Sequence, residues 1–151
     1  MIKPYTFIAF FFFLLLAACD NDEDTRYGAE EKKDLLALSF PRISLGEKER
    51  IVGLEISIRH GSVKAITNIP EDWSIALNTD PSWNSTVTGN ANHGAGALDD
   101  LSELDSLLLI QPWHGKDYTF TVEVSVITTT DFEKTARQSI GMADLILSRK
   151  N

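Results

Sequence analysis

Tyr118-Thr119-Phe120-Thr121-Val122-Glu123-Val124-Ser125-Val126 alternates between two kinds of side chain without a break. In an extended chain successive side chains point to opposite faces. Tyr118, Phe120, Val122, Val124 and Val126 therefore fall on one side, and Thr119, Thr121, Glu123 and Ser125 on the other. That is the signature of a half-buried β-strand. Ile51 to Arg59 carries the same period, with Leu54, Ile56 and Ile58 set against Glu55, Ser57 and Arg59. His60-Gly61-Ser62 is a turn signal and Val63 to Ile69 resumes an extended pattern, so the two runs predict a hairpin. Pro70 ends the second run, because proline has no N–H to give a ladder.

Working outward, Trp73, Ile75 and Leu77 share one face, which places Trp73 in the core, and Asn78-Thr79-Asp80-Pro81 turns the chain. Trp83 to Gly89 is a thinner strand rich in serine and threonine, Leu107 to Ile110 reads as a fully buried strand, and Ala143 to Leu147 as a last one. One helical turn is predicted at Asp99-Asp100-Leu101-Ser102-Glu103-Leu104, where aspartate caps and acids occupy the first turn. About seven short strands, with at most a short helix near 99–105, predict an all-β, two-sheet sandwich. Ile69-Pro70-Glu71-Asp72-Trp73, followed by an alternating strand, resembles the Pro-x-Gly-Trp turn of bacterial extracytoplasmic immunoglobulin-like modules, with Asp72 where those have glycine. The resemblance implies an immunoglobulin-like β-sandwich and says nothing of activity.

The N-terminal region has a different character. Lys3 is the only charge before Asp20, and every side chain from Phe7 to Leu16 is apolar. That run is too short for a bilayer, which needs about twenty residues. A positive start, a short apolar stretch and small residues form an export-signal pattern. Leu16-Ala17-Ala18-Cys19 closely resembles the lipobox of bacterial lipoproteins. The resemblance implies that residues 1–18 are removed as a signal peptide and that Cys19 receives lipid. Cys19 is the only cysteine, so it closes no intrachain disulfide. Each buried methylene contributes about 0.8 kcal/mol, so a multiply acylated cysteine holds a membrane where one chain would not. Residues 19–33 read as an acidic tether, because a charged segment nearly devoid of apolar side chains cannot offset the entropy of ordering. Asp34 onward, residues 34–151, is the expected β-sandwich domain, although a helix running into Leu35-Leu36-Ala37-Leu38 is the competing reading there. The resemblance further implies a bacterial cell-envelope location, periplasm-facing or at the cell surface. Asp20 after the cysteine leans toward the inner membrane.

Charge and spacing narrow the function. The formal net charge is −8, and loss of the leader with Lys3 brings it to −9, which argues against nucleic acid and anionic lipid as partners. His93-Gly94-Ala95-Gly96 invites comparison with the oxyanion loop of lipases, but no Gly-x-Ser-x-Gly elbow accompanies it, so a glycine-bearing loop is the favoured reading. His60, His93 and His114 lack the short spacing that joins two imidazoles on one metal. Asp99, Asp100, Glu103 and Asp105 match no calcium-loop spacing. No metal site and no cofactor is expected. Trp83 and Trp113 sit beside turn residues, so they are the tryptophans expected to be partly exposed and the candidate ligand-binding residues. The leading expectation is a non-enzymatic binding or accessory domain with an envelope protein partner. The alternative is a carbohydrate-binding module that grips a glycan with these tryptophans.

Overall fold

The computed structural model describes residues 35–113 and 118–150. The leader 1–18, Cys19, Asp20 and the tether lie outside the described residues, as does His114. The described residues form nine strands: β1 (Leu36–Ser39), β2 (Glu49–Arg59), β3 (Gly61–Ile66), β4 (Trp73–Thr79), β5 (Ser85–Ala91), β6 (Leu108–Pro112), β7 (Thr121–Thr130), β8 (Lys134–Ile140) and β9 (Ile146–Arg149). They make a four-stranded sheet in the order β3-β6-β1-β9 and a five-stranded sheet in the order β4-β5-β2-β7-β8. Every pairing is antiparallel.

The predicted all-β sandwich is what forms. The alternation in β2 and β7 sets the core: Leu54, Ile56 and Ile58 meet Val122, Val124 and Val126 on the inner face, all buried. Leu38, Leu108 and Ile110 close it from the four-stranded sheet, and Leu98, Leu101, Leu104 and Leu107, from the chain between β5 and β6, join the same cluster. Each such side chain contributes about 1.5–3 kcal/mol by leaving water. The helical turn near 99–105 is a 3-10 turn at Leu101–Leu104, with the Asp100 carboxylate accepting from the Ser102 N–H at 3.0 Å.

Several expectations are corrected. β2 and β3 are not a hairpin, because β2 belongs to the five-stranded sheet and β3 to the other. His60, with φ 54°, turns the chain from one sheet to the next. A Cβ on Gly61 would sit 2.8 Å from the Phe120 ring, so the crossing needs glycine there. The stretch weighed as a helix at Leu35 to Leu38 is strand β1, inserted between β6 and β9. β8 is a strand with no counterpart in the sequence reading. The last strand begins at Ile146, after a 3-10 turn at Met142–Asp144. Tyr118 and Phe120 precede β7 instead of opening it, and Tyr118 is 55% exposed. Pro70 accepts from the Trp73 N–H at 3.2 Å, and Asp72 has φ 61°, the left-handed conformation that glycine takes most readily.

Candidate functional site

At one end of the sandwich the β2–β3 turn, the Asp80–Asn84 loop between β4 and β5, and the ends of the chain flanking residues 114–117 come together. Backbone contacts tie them: the Gly61 N–H donates to the Trp83 carbonyl at 3.0 Å and the Trp113 N–H to the His60 carbonyl at 2.8 Å. The Asp80 carboxylate organises the loop. It accepts from the Ser82 N–H at 2.7 Å, the Asn84 N–H at 3.2 Å and the Asn84 side-chain amide at 3.2 Å. These donors favour the ionised form and hold the Asp80 carboxyl below its ordinary pKa, chiefly through the Asn84 N–H and against some desolvation.

Among the described residues this frame presents four rings. Trp83 is 46% exposed and Trp113 41%, and their centroids lie 4.8 Å apart at an interplanar angle of 54°. That is a tilted aromatic pair within the favourable 4.5–7 Å range. His60 and Tyr118 form a second pair, 4.8 Å apart and tilted by 40°. The two pairs, with Pro81 and Ser82, line a groove of about 450 Å³. A second groove of about 370 Å³ shares Pro81 and Trp83 with the first and is lined further by Ser62, Lys64, Thr79 and Asp80. Trp83 itself has φ 61°. An L-residue in that region costs roughly 1–2 kcal/mol, and eight other described non-glycine residues share the conformation, so at Trp83 it marks the turn and not the site.

Among the described lining residues of the first groove none is a carboxylate, a lysine or an arginine. His60 and Ser82 both line it, yet no hydrogen bond joins them; the Ser82 N–H and the His60 N–H are turned to Asp80 and Asn84. Nearby, Ser62 and Gln111 face each other across β3 and β6, and their buried Oγ and Oε1 atoms have no hydrogen-bond partner among the described residues.

The sequence-predicted pair, Trp83 and Trp113, is thus brought together. His60 and Tyr118 were not singled out as site residues. His60 reads as a solvated turn histidine and Tyr118 as an inward strand residue, so only the third dimension joins them. Trp73, 7% exposed, is core as expected, and its Nε1–H donates to the Gly96 carbonyl at 2.5 Å. The His93–Gly96 stretch is a tight turn: Gly94–Gly96 is 3-10, and a Cβ on Gly96 would stand 2.6 Å from the Asp72 carbonyl oxygen. The acids near residue 100 have other tasks. Asp99 pairs with Arg50 at 2.6 Å, Asp100 caps the turn, and Asp105 accepts from the Phe40 N–H at 3.0 Å. Among the described residues no three His, Cys, Asp or Glu side chains gather as a metal site.

No protein-family model, curated protein or solved structure matches the chain. Fold and site together therefore define its class: a two-sheet antiparallel β-sandwich with a braced aromatic groove at one end.

Proposed function

We propose that this chain is a non-enzymatic, lipid-anchored protein of the bacterial cell envelope, held through Cys19, whose sandwich domain grips its ligand in the groove that Trp83 and Trp113 line with His60 and Tyr118. The observation that carries this reading is a half-exposed tryptophan pair on a hydrogen-bonded frame. Rings fixed before binding lose little entropy on binding.

The geometry favours a glycan over a protein partner as the ligand of this groove. Its volume falls in the range of about 300–1,000 Å³ typical of small-molecule sites. The uncharged described lining suits a neutral ligand with apolar ring faces. Intrinsic tryptophan fluorescence of the purified protein, titrated with a panel of neutral oligosaccharides, tests this. We expect a saturable change for one class of glycan that disappears in Trp83→Ala and in Trp113→Ala. No response to any glycan would return the groove to the protein-partner reading. Globomycin treatment tests the anchor: the wild-type precursor should accumulate, and Cys19→Ser should give a precursor that no longer responds.

A further inference from the structure

The chain enters the sandwich at the end that carries the groove. β1 runs antiparallel to β6 with Leu36 opposite Ile110, and the Leu35 carbonyl accepts from the Lys150 N–H at 2.9 Å. In that register Leu35 stands level with Gln111, one strand across from β6 and two residues short of Trp113. Strands lie about 4.8 Å apart and advance about 3.4 Å per residue, so the entry point is roughly 10 Å from the Trp113 backbone. The eleven residues of β2 give the sandwich a length of roughly 35 Å. An entry at the other end would have set the groove that much farther from the tether.

Charge is divided along the same axis. Among the described residues of the groove end, Arg59, Lys64, Arg149 and Lys150 outnumber Asp80 and Glu123. At the other end, segments 42–50, 71–72, 99–105 and 131–134 hold more than twice as many acids as bases. The acidity of the described residues therefore belongs to the end away from the groove. An anionic lipid surface repels that end and leaves the groove end to approach.

We infer that the groove receives a neutral sugar head group borne on a lipid of the same membrane that holds the chain. The inference rests on the anchored, glycan-binding reading above and adds the source of the glycan. Fifteen residues lie between Cys19 and Leu35. Fully extended they reach about 50 Å, and as a flexible coil they span about 20 Å. Because the entry adjoins the groove, nearly the same limits hold for the groove, with no domain length added. A head group fixed in that membrane shares this thin layer, and short flexible linkages give effective concentrations in the millimolar range. Two half-exposed tryptophans make an open site of modest grip, since stacking adds only about 0.5–1.5 kcal/mol beyond area burial. Such a site stays empty at micromolar free sugar and fills when the sugar is confined beside it.

The test is photo-cross-linking of the full chain in intact cells. The photoreactive residue p-benzoylphenylalanine replaces Ser82 or Tyr118 on the groove lining, and a protease site is inserted between Lys33 and Asp34. After irradiation the membranes are isolated, the domain is cut from its tether, and the products are partitioned between a phase-separating detergent and water. The expected result is a domain adduct in the detergent phase whose added mass contains both sugar and acyl chains. Its yield should fall several-fold when Trp83→Ala is added. A water-phase adduct carrying sugar alone overturns the inference and leaves the glycan reading standing, whereas an adduct with another protein overturns both. A domain still joined to its own tether after the cut makes residues 20–33 the occupant and overturns the choice of ligand. No adduct above a control with the photoreactive residue at exposed Thr135 on β8 also overturns the inference, and the fluorescence titration then decides the glycan reading by itself.

Discussion

Replacing Trp73 with phenylalanine separates one hydrogen bond from most of a buried ring. The indole is 7% exposed and its Nε1–H reaches the carbonyl of Gly96, itself buried, at 2.5 Å. Trp73→Phe leaves that carbonyl without the donor, which costs about 1–3 kcal/mol. The smaller ring leaves a void worth on the order of 1 kcal/mol more. The expected loss is therefore about 2–4 kcal/mol, against about 3–5 kcal/mol for Trp73→Ala from the larger cavity. In a domain of this size each kcal/mol moves Tm by about 4 °C, so Trp73→Phe should melt roughly 8–16 °C lower. Urea unfolding followed by circular dichroism gives the same quantity from the midpoint, provided the slope m is unchanged. A Trp73→Phe protein within about 0.5 kcal/mol of wild type, the range of ordinary surface substitutions, would refute the reasoning. The indole would then be only a space-filler, with no part in fixing the His93–Gly96 turn to β4.

Four further outcomes are expected. Trp83→Ala and Trp113→Ala should each cost less than about 2 kcal/mol in the same urea assay, because half of each ring is already in water, and Trp83→Gly should be more stable than Trp83→Ala by up to about 1 kcal/mol because φ is 61° there. Gly96→Ala drives a Cβ against the Asp72 carbonyl and should lower stability by about 1–3 kcal/mol, measured by thermal melting. Glu49 is held below its ordinary pKa, chiefly by the Thr128 hydroxyl at 2.5 Å and then by the Gly46 N–H; a depressed folded pKa gives stability that is present above the unfolded value and lost as pH falls through the folded one, so the urea midpoint should drop below about pH 4, less steeply in Thr128→Val. A chain beginning at Asp34 should give a cooperative transition in circular dichroism with mainly strand signal, while one beginning at Phe40 should not, because β1 is an interior strand of its sheet.

The strands that announced themselves in the sequence are those whose two faces differ. β2 and β7 lie at the middle of a sheet with one face dry, so their alternation is forced by burial. β8 escaped notice because Lys134 to Ser139 are all exposed and only Ile140 is buried; an edge strand beyond the opposite sheet has no face to pattern. β1 was ambiguous for the opposite reason. Ala37 and Leu38 are consecutive and both wholly buried, which removes the period-two contrast. The supposed β2–β3 hairpin failed because a left-handed residue before a glycine serves equally for a hairpin and for a crossing between sheets. What decides is Phe120, packed against Gly61 from far along the chain. The same distance in sequence hid half of the groove. Trp83 and Trp113 were legible as candidates from their turn neighbours, whereas His60 and Tyr118 join them only because β2, β6 and β7 end on the same level.

The insertion of β1 between β6 and β9 has a consequence in time. Its partners are residues 109–110 and 146–149, so both of its ladders close loops of some seventy to one hundred and ten residues. Pairings this distant form slowly, since loop closure precedes any reward from contact. A chain that emerges from its N-terminus therefore has the hairpin β4–β5 at hand early, but it lacks β9 until Arg149 is out. Until then one flank of β1 stays open, and the four-stranded sheet remains a three-stranded fragment with a bare interior edge. The order of emergence thus defers completion of the four-stranded sheet until β9 has followed β6.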